Sequence, residues 1–257
     1  MMSVRPCLLA GCLIAAVAGS ALAQDSSATS VPSPAAPSPS GWHWIVEPYL
    51  LIPNMSGTSG MRGLTSDVKA SSSDIFDALD FGAMLYVEMH NNQWAVALDG
   101  TYMDLGVSGT TKLGSVDVDL KQSGVMALGY RRVEPWAEAM LGFQFNSIKG
   151  SLKGSGPVAV ELNDDQTWVD PYLGARLTLP RNDYWRFGFN GFLGGFGIGS
   201  DFAWQVYPNL GYRFNDLFEL NGGYRAIYMD YTHGSGSDEF TYKMTTFGPQ
   251  VGGIFHF

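Results

Sequence analysis

The chain has 257 residues, with 24 acidic against 15 basic side chains and a formal charge of −9. No Lys/Arg cluster is present to neutralise phosphates, so the composition excludes nucleic acid as a partner. Aromatic residues make up 13% and charged residues 15%, and beyond the N-terminal segment no apolar run reaches the ~20 residues of a membrane-spanning helix.

Arg5 supplies a positive charge, Leu8 to Ala18 is almost entirely apolar, and Ala21-Leu22-Ala23 places small residues where a signal peptidase reads. This predicts a cleavable secretory signal over residues 1–23. The competing reading is a lipoprotein box, Leu9-Ala10-Gly11-Cys12, with Cys12 lipidated, but only Cys7, Leu8 and Leu9 would precede it as an apolar core. Cys7 and Cys12 are the two cysteines and both lie in the signal. The exported chain is therefore expected to have no disulfide, thiolate nucleophile or Cys-ligated metal. Residues 24–40, mostly Ser, Ala and Pro, predict a flexible linker. Residues 41–257 are long enough for one domain.

Within that domain apolar and polar residues alternate over segment after segment, the period of a sheet with two different faces. Phe81, Ala83, Leu85, Val87 and Met89 oppose Gly82, Met84, Tyr86, Glu88 and His90. Val169, Leu173, Ala175 and Leu177 oppose Asp170, Tyr172, Gly174 and Arg176. One face is bulky and apolar, the other mixes small residues with single charges of both signs. That suits lipid outside and a narrow polar lumen inside.

Ten strands are predicted: Trp42–Met55, Phe81–His90, Trp94–Val107, Val116–Arg131, Trp136–Ser147, Thr167–Leu179, Trp185–Gly195, Phe202–Phe214, Phe218–Asp230 and Glu239–Phe257. Tight turns at Asn91-Asn92, Arg132–Glu134, Pro180–Asp183 and Asn215-Asp216 alternate with longer polar connections such as Lys149–Gln166 and Thr232–Asp238. The fold class is all-β: a closed antiparallel up-and-down transmembrane barrel of ten strands, with eight or twelve as alternatives. Closure follows because an open sheet edge cannot be satisfied in hydrocarbon. Aromatic residues near strand ends, among them Trp44, Trp94, Trp136, Trp168 and Trp185, predict interfacial girdles.

In the first long connection Ser73 is a candidate N-cap and Asp74 suits a helix N-terminus. Ile75 and Leu79 share a face at i, i+4, with Phe76 between them. A short helix is expected there, with a small hairpin before it; it either folds over the barrel mouth or is a capped turn without function.

The alternation points Glu47, Glu88, Asp99, Glu138, Asp170, Arg176, Arg186, Arg213 and Arg225 inward. A barrel this narrow leaves little room for unpaired charge, so acids and arginines are expected to pair across the lumen.

Glu47-Pro48-Tyr49-Leu50, Ser73–Phe81, Trp168-Val169-Asp170-Pro171, Gly194–Gln205 and the Gly-Tyr-Arg triplets at Gly211 and Gly223 resemble small outer-membrane β-barrels of the opacity-protein and outer-membrane-protein type. The resemblance covers nearly all of 42–257. It implies a barrel in the bacterial outer membrane, in contact with lipid and lipopolysaccharide. Phe255-His256-Phe257 looks like the aromatic-ended last strand read by the barrel assembly machinery, with Phe255 and Phe257 facing lipid.

Such barrels serve as anchors, adhesins, pores and enzymes, so chemistry has to be sought residue by residue. His43, His90 and His256 fall at strand ends, and His233 falls in a loop near Asp230 and Asp238; none makes a recognisable catalytic set. Asn163-Asp164-Asp165 lacks the regular spacing of a Ca²⁺ loop. The run Gly194–Ser200 lacks the Lys-Ser/Thr ending of a phosphate loop. No catalytic residue, metal or cofactor is expected. The reading is a non-enzymatic barrel for envelope structure or surface-loop presentation. A narrow pore is the main rival and a barrel enzyme acting on lipid or peptide the third.

Overall fold

The computed structural model describes residues 41–111, 114–155 and 160–257. The signal, its cleavage site and the linker lie outside the described residues. The strands are β1 (His43–Leu51), β2 (Asn54–Met61), β3 (Leu64–Ala70), β4 (Leu79–His90), β5 (Trp94–Thr111) and β6 (Gly114–Glu134). They continue as β7 (Ala137–Ser155), β8 (Val160–Pro180), β9 (Trp185–Gly194), β10 (Phe202–Arg213), β11 (Phe218–His233) and β12 (Phe240–His256). One helix, α1 (Ser72–Asp77), lies between β3 and β4.

Ten strands form a closed antiparallel ring in the order β1-β4-β5-β6-β7-β8-β9-β10-β11-β12, sealed by pairing of β12 back onto β1. At the seal Trp44 and Phe257 exchange two backbone hydrogen bonds of 3.0 and 2.9 Å. This is a closed, antiparallel, up-and-down all-β barrel. The outward residues Leu85, Val96, Leu98, Leu141, Phe143, Val169, Leu173 and Phe187 are exposed, a belt that only hydrocarbon would cover. Exposed Trp44, Trp94, Trp136 and Trp185 ring the end where the tight turns lie.

Four expectations are corrected. The first predicted strand breaks at Ile52-Pro53, because Pro53 has no N–H to continue a ladder. Ile52 N–H instead donates to Pro249 O at 2.9 Å, and β2 resumes along the other half of β12. Second, Lys149–Gln166 is mostly strand: β7 runs on to Ser155 and β8 starts at Val160, well past their predicted ends. Ile148 and Leu152 alternate there with Lys149, Ser151 and Lys153, but the Gly, Ser and Asp residues around them read as a loop. Third, the N-cap of α1 is Ser71, not Ser73. Ser71 and Asp74 form a reciprocal capping box, and Leu79 opens β4 rather than sharing the helix face with Ile75. Fourth, Trp168 is no girdle residue; it is buried inside the barrel.

The β2–β3 hairpin turns on Arg62 and Gly63, both with positive φ (54° and 73°), the primed turn that matches strand twist. It leans over the mouth. A Cβ on Gly150 of β7 would meet the end of the Met61 side chain, and β7 lies on the opposite side of the ring from β12.

Candidate functional site

The inward face of the ten strands is layered. Nearest the tight turns, Arg176 of β8 reaches Glu88 of β4, a strand four places away around the ring. Its Nε also donates to Glu138 Oε2 at 2.5 Å, and its guanidinium lies 4.0 Å from the centre of the Tyr130 ring. Arg132 joins Glu138 at 3.3 Å, and His90 Nδ1 lies 3.5 Å from Glu88. Arg186 donates to Glu219 from Nε (2.9 Å) and Nη2 (2.6 Å). Gly211 makes room for this pair, since a Cβ there would collide with Glu219 Oε1.

Above these, Arg225 of β11 binds Asp99 of β5 at 2.9 Å and also donates to Tyr49, Gln205 and Gln250. Tyr49 completes the layer by donating to Asp99 at 2.6 Å. A cavity of about 290 Å³ lies at the tight-turn end and a second of about 110 Å³ toward the long loops. Tyr49 and Arg225 line both, so this layer is the partition between them.

Three expected charges depart from acid–arginine pairing. Arg213 is exposed at the tight-turn end and, among the described residues, joins no ion pair; it sits in the last position of β10, where solvent meets its charge. Glu47 is buried but is held by Asn221 Nδ2 at 3.0 Å. Asp170 is fully buried and accepts from Asn146 (3.1 Å), Trp168 Nε1 (3.0 Å), Ser200 N–H (2.5 Å) and Ser200 Oγ (2.8 Å). Four neutral donors take the place of a cation here.

Glu219, Tyr49, Gln205 and Gln250 were not singled out from the sequence. Glu219 shares the parity of Arg225 on β11, so the signal was present. Ser200 carried none, because its partner Asp170 is remote in the chain and only the folded Gly194–Ser200 loop brings them together.

At the mouth, Ser72 N–H donates to Asn54 Oδ1 at 3.1 Å and Gly106 N–H donates to Ala78 O at 2.8 Å. The segment carrying α1 thus spans from β2 to β5. Ile75 is buried in the same core as Met55, whereas Phe76 is exposed. Ser73 Oγ lies 2.8 Å from Ser71 Oγ. The side chain of Ser71, and then its backbone N–H, hold the Asp74 carboxyl below its ordinary range. Phe257 is exposed, and Phe255 packs its ring 5.3 Å from that of Phe218. His233 is exposed and stacks on Tyr231.

No protein-family model and no curated protein matches the chain. Among solved structures it is similar to the attachment invasion locus protein of Yersinia pestis, in complex with the heparin analogue sucrose octasulfate. Identity is 14% over 84% of this chain and 99% of that one, with a TM-score of 0.39. The translocator domain of the autotransporter NalP from Neisseria meningitidis gives 12% identity over 85% and 89%, TM-score 0.42. Neisserial surface protein A gives 11% over 84% and 98%, TM-score 0.33. Identities this low say nothing of activity.

Proposed function

We propose that this chain is a non-enzymatic outer-membrane barrel with a sealed lumen, which holds the tall β5–β8 extension at the cell surface. The tight-turn end and both termini then face the periplasm, and export depends on the predicted signal over residues 1–23. Lipid and lipopolysaccharide surround the apolar belt, and the assembly machinery reads Phe255 and Phe257 on the last strand.

The observation that carries the sealed lumen is the Tyr49–Asp99–Arg225–Gln205–Gln250 layer. It joins five strands, β1, β5, β10, β11 and β12, through hydrogen bonds of 2.6 to 3.4 Å. Ions would have to break buried charge pairs to pass. A narrow pore remains the second reading, favoured by the 290 Å³ polar cavity at the periplasmic end. Planar bilayer recording on the purified barrel tests the choice. Background current is expected; stable discrete channels in the wild type would overturn the proposal.

A further inference from the structure

Of the nine methionines in residues 41–257, eight sit on the inner side of the barrel or its hairpin, and only Met89 has the outward parity of Leu85 and Val87. Five of the eight line the 110 Å³ chamber above the Arg225 layer. Their clustering is built into the register. Met229 and Met244 are direct cross-strand partners on β11 and β12. Met55 follows on β2, opposite Thr246 and diagonal to Met244. Met84 and Met103 occupy neighbouring positions on β4 and β5. Lipid would accept methionine as readily as leucine, so packing against the bilayer does not account for this segregation. Thioether side chains are unbranched and adaptable, which suits a cavity that closes around small apolar guests.

The chamber has a side entrance in its wall. The β4 ladder with β1 ends at Leu85; β1 continues to Leu51, whose N–H donates to Met84 Sδ at 3.4 Å, and above Met84 the residues Leu79 to Ala83 pair with no strand on that side among the described residues. The outer edge of β3 is likewise unpaired. From Met89 to Phe81, β4 climbs about 19 Å at ~3.3 Å per residue and ~45° tilt. The break therefore opens inside the upper part of the ~25 Å apolar band. The segment that bridges it is α1, tied to β2 at Asn54 and to β5 at Gly106.

We infer that the methionine chamber is a binding site for a small, neutral, apolar molecule of about benzene size, entered from the bilayer past α1. Apolar cavities of about 150 Å³ take up benzene; here Gln122, Gln144 and Asn146 share the wall with the five methionines, which can yield the remaining space. A soft monovalent cation is the competing guest, since thioethers are its ligands. The electrostatics disfavour it: among the described residues the one charged side chain lining the chamber is Arg225, itself a cation. The inference does not depend on whether the lumen conducts.

The folded full-length barrel in lipid nanodiscs is titrated with fluorobenzene and followed by fluorine NMR, with empty nanodiscs giving the partition background. A saturable second environment is expected. Met244→Trp should fill the chamber and abolish it while the barrel stays heat-modifiable on gels; Thr246→Phe serves if that variant does not fold. Cross-linking Asn54→Cys to Ser72→Cys should pin α1 and slow exchange about tenfold or more without changing affinity. No saturable signal in the wild type would overturn the site, and unchanged exchange in the cross-linked protein would overturn the entrance. Saturable binding of Ag(I) that is lost in Met229→Leu, with no response to fluorobenzene, would make the chamber a metal site and refute the proposal.

Discussion

Trp168 of β8 and Tyr231 of β11 stack with ring centres 4.0 Å apart and planes 7° apart, although β9 and β10 separate their strands in the ring. The contact is possible because β9 ends at Gly194 and β10 starts at Phe202, leaving β8 and β11 taller than the strands between them. The same indole donates to Asp170, so one side chain both bridges the mouth and satisfies a buried acid.

Trp168→Ala should therefore cost about 3–5 kcal/mol, the range for a large buried aromatic. Trp168→Phe keeps a ring on Tyr231 but withdraws a donor from Asp170, which should cost about 1–3 kcal/mol. Urea unfolding of the refolded barrel measures both, and no loss in Trp168→Phe would mean that the indole N–H contributes nothing.

Arg176 and Arg213 looked equivalent by parity, and the fold separates them. Arg176→Ala leaves Glu88 and Glu138 in the lumen without their shared cation, a loss of about 3–5 kcal/mol. Arg213→Ala removes an exposed, unpaired side chain and should stay within about 0.5 kcal/mol. A comparable drop in both would contradict the placement of Arg213.

That contrast shows what the sequence could and could not carry. The ring of ten strands was legible because one face of each is bulky and apolar, which makes period two visible at Leu85, Val87 and Val169. The extensions of β7 and β8 were not, because the glycines, serines and aspartates around Ile148 and Leu152 read as a loop. Inward charges were legible as a set, but their partners were not. Parity says that Asp170 faces in; it cannot say that Ser200, from a glycine-rich loop, replaces an arginine there.

The capping box of α1 predicts a pH dependence. The Asp74 carboxyl is held below its ordinary value of 3.8 by the side chain and then the backbone N–H of Ser71. A carboxylate whose folded pKa is depressed stabilises fully above its unfolded value and loses that contribution as pH falls through the folded one. Helix α1 should thus keep its amide protection down to roughly pH 4 and lose it progressively below. Asp74→Asn should lower protection at neutral pH and remove the acid step. Hydrogen exchange by mass spectrometry on the 71–78 segment reads both, and an acid step persisting in the variant would assign it to another group.

Phe257 closes the ring through its backbone, while its side chain is exposed on the apolar face. Deleting it removes both hydrogen bonds with Trp44; Phe257→Asp keeps the bonds and removes the aromatic face. If the side chain is what the assembly machinery reads, both variants should be exported and both should accumulate unfolded. Heat-modifiability of the membrane fraction reports this, and normal folding of Phe257→Asp would leave only the backbone pair important.

Arg225 gives the sharpest test of the sealed lumen, because it and Tyr49 separate the two cavities. Arg225→Ala deletes the guanidinium that ties Asp99, Gln205 and Gln250 together and strands Asp99 beside Tyr49. Stability should fall by about 3–5 kcal/mol. The cavities should merge, so the variant should show small cation-preferring currents where the wild type shows none, with Asp99 now the uncompensated charge along the path. Asp99→Asn in the same background should restore much of the stability and abolish the cation preference, since it neutralises the stranded acid. Currents without cation preference in Arg225→Ala would mean that Asp99 does not set the charge of the path, and no current at all despite a folded barrel would mean that another layer closes the lumen. The Arg176–Glu88 bridge nearer the tight turns would be the next to remove.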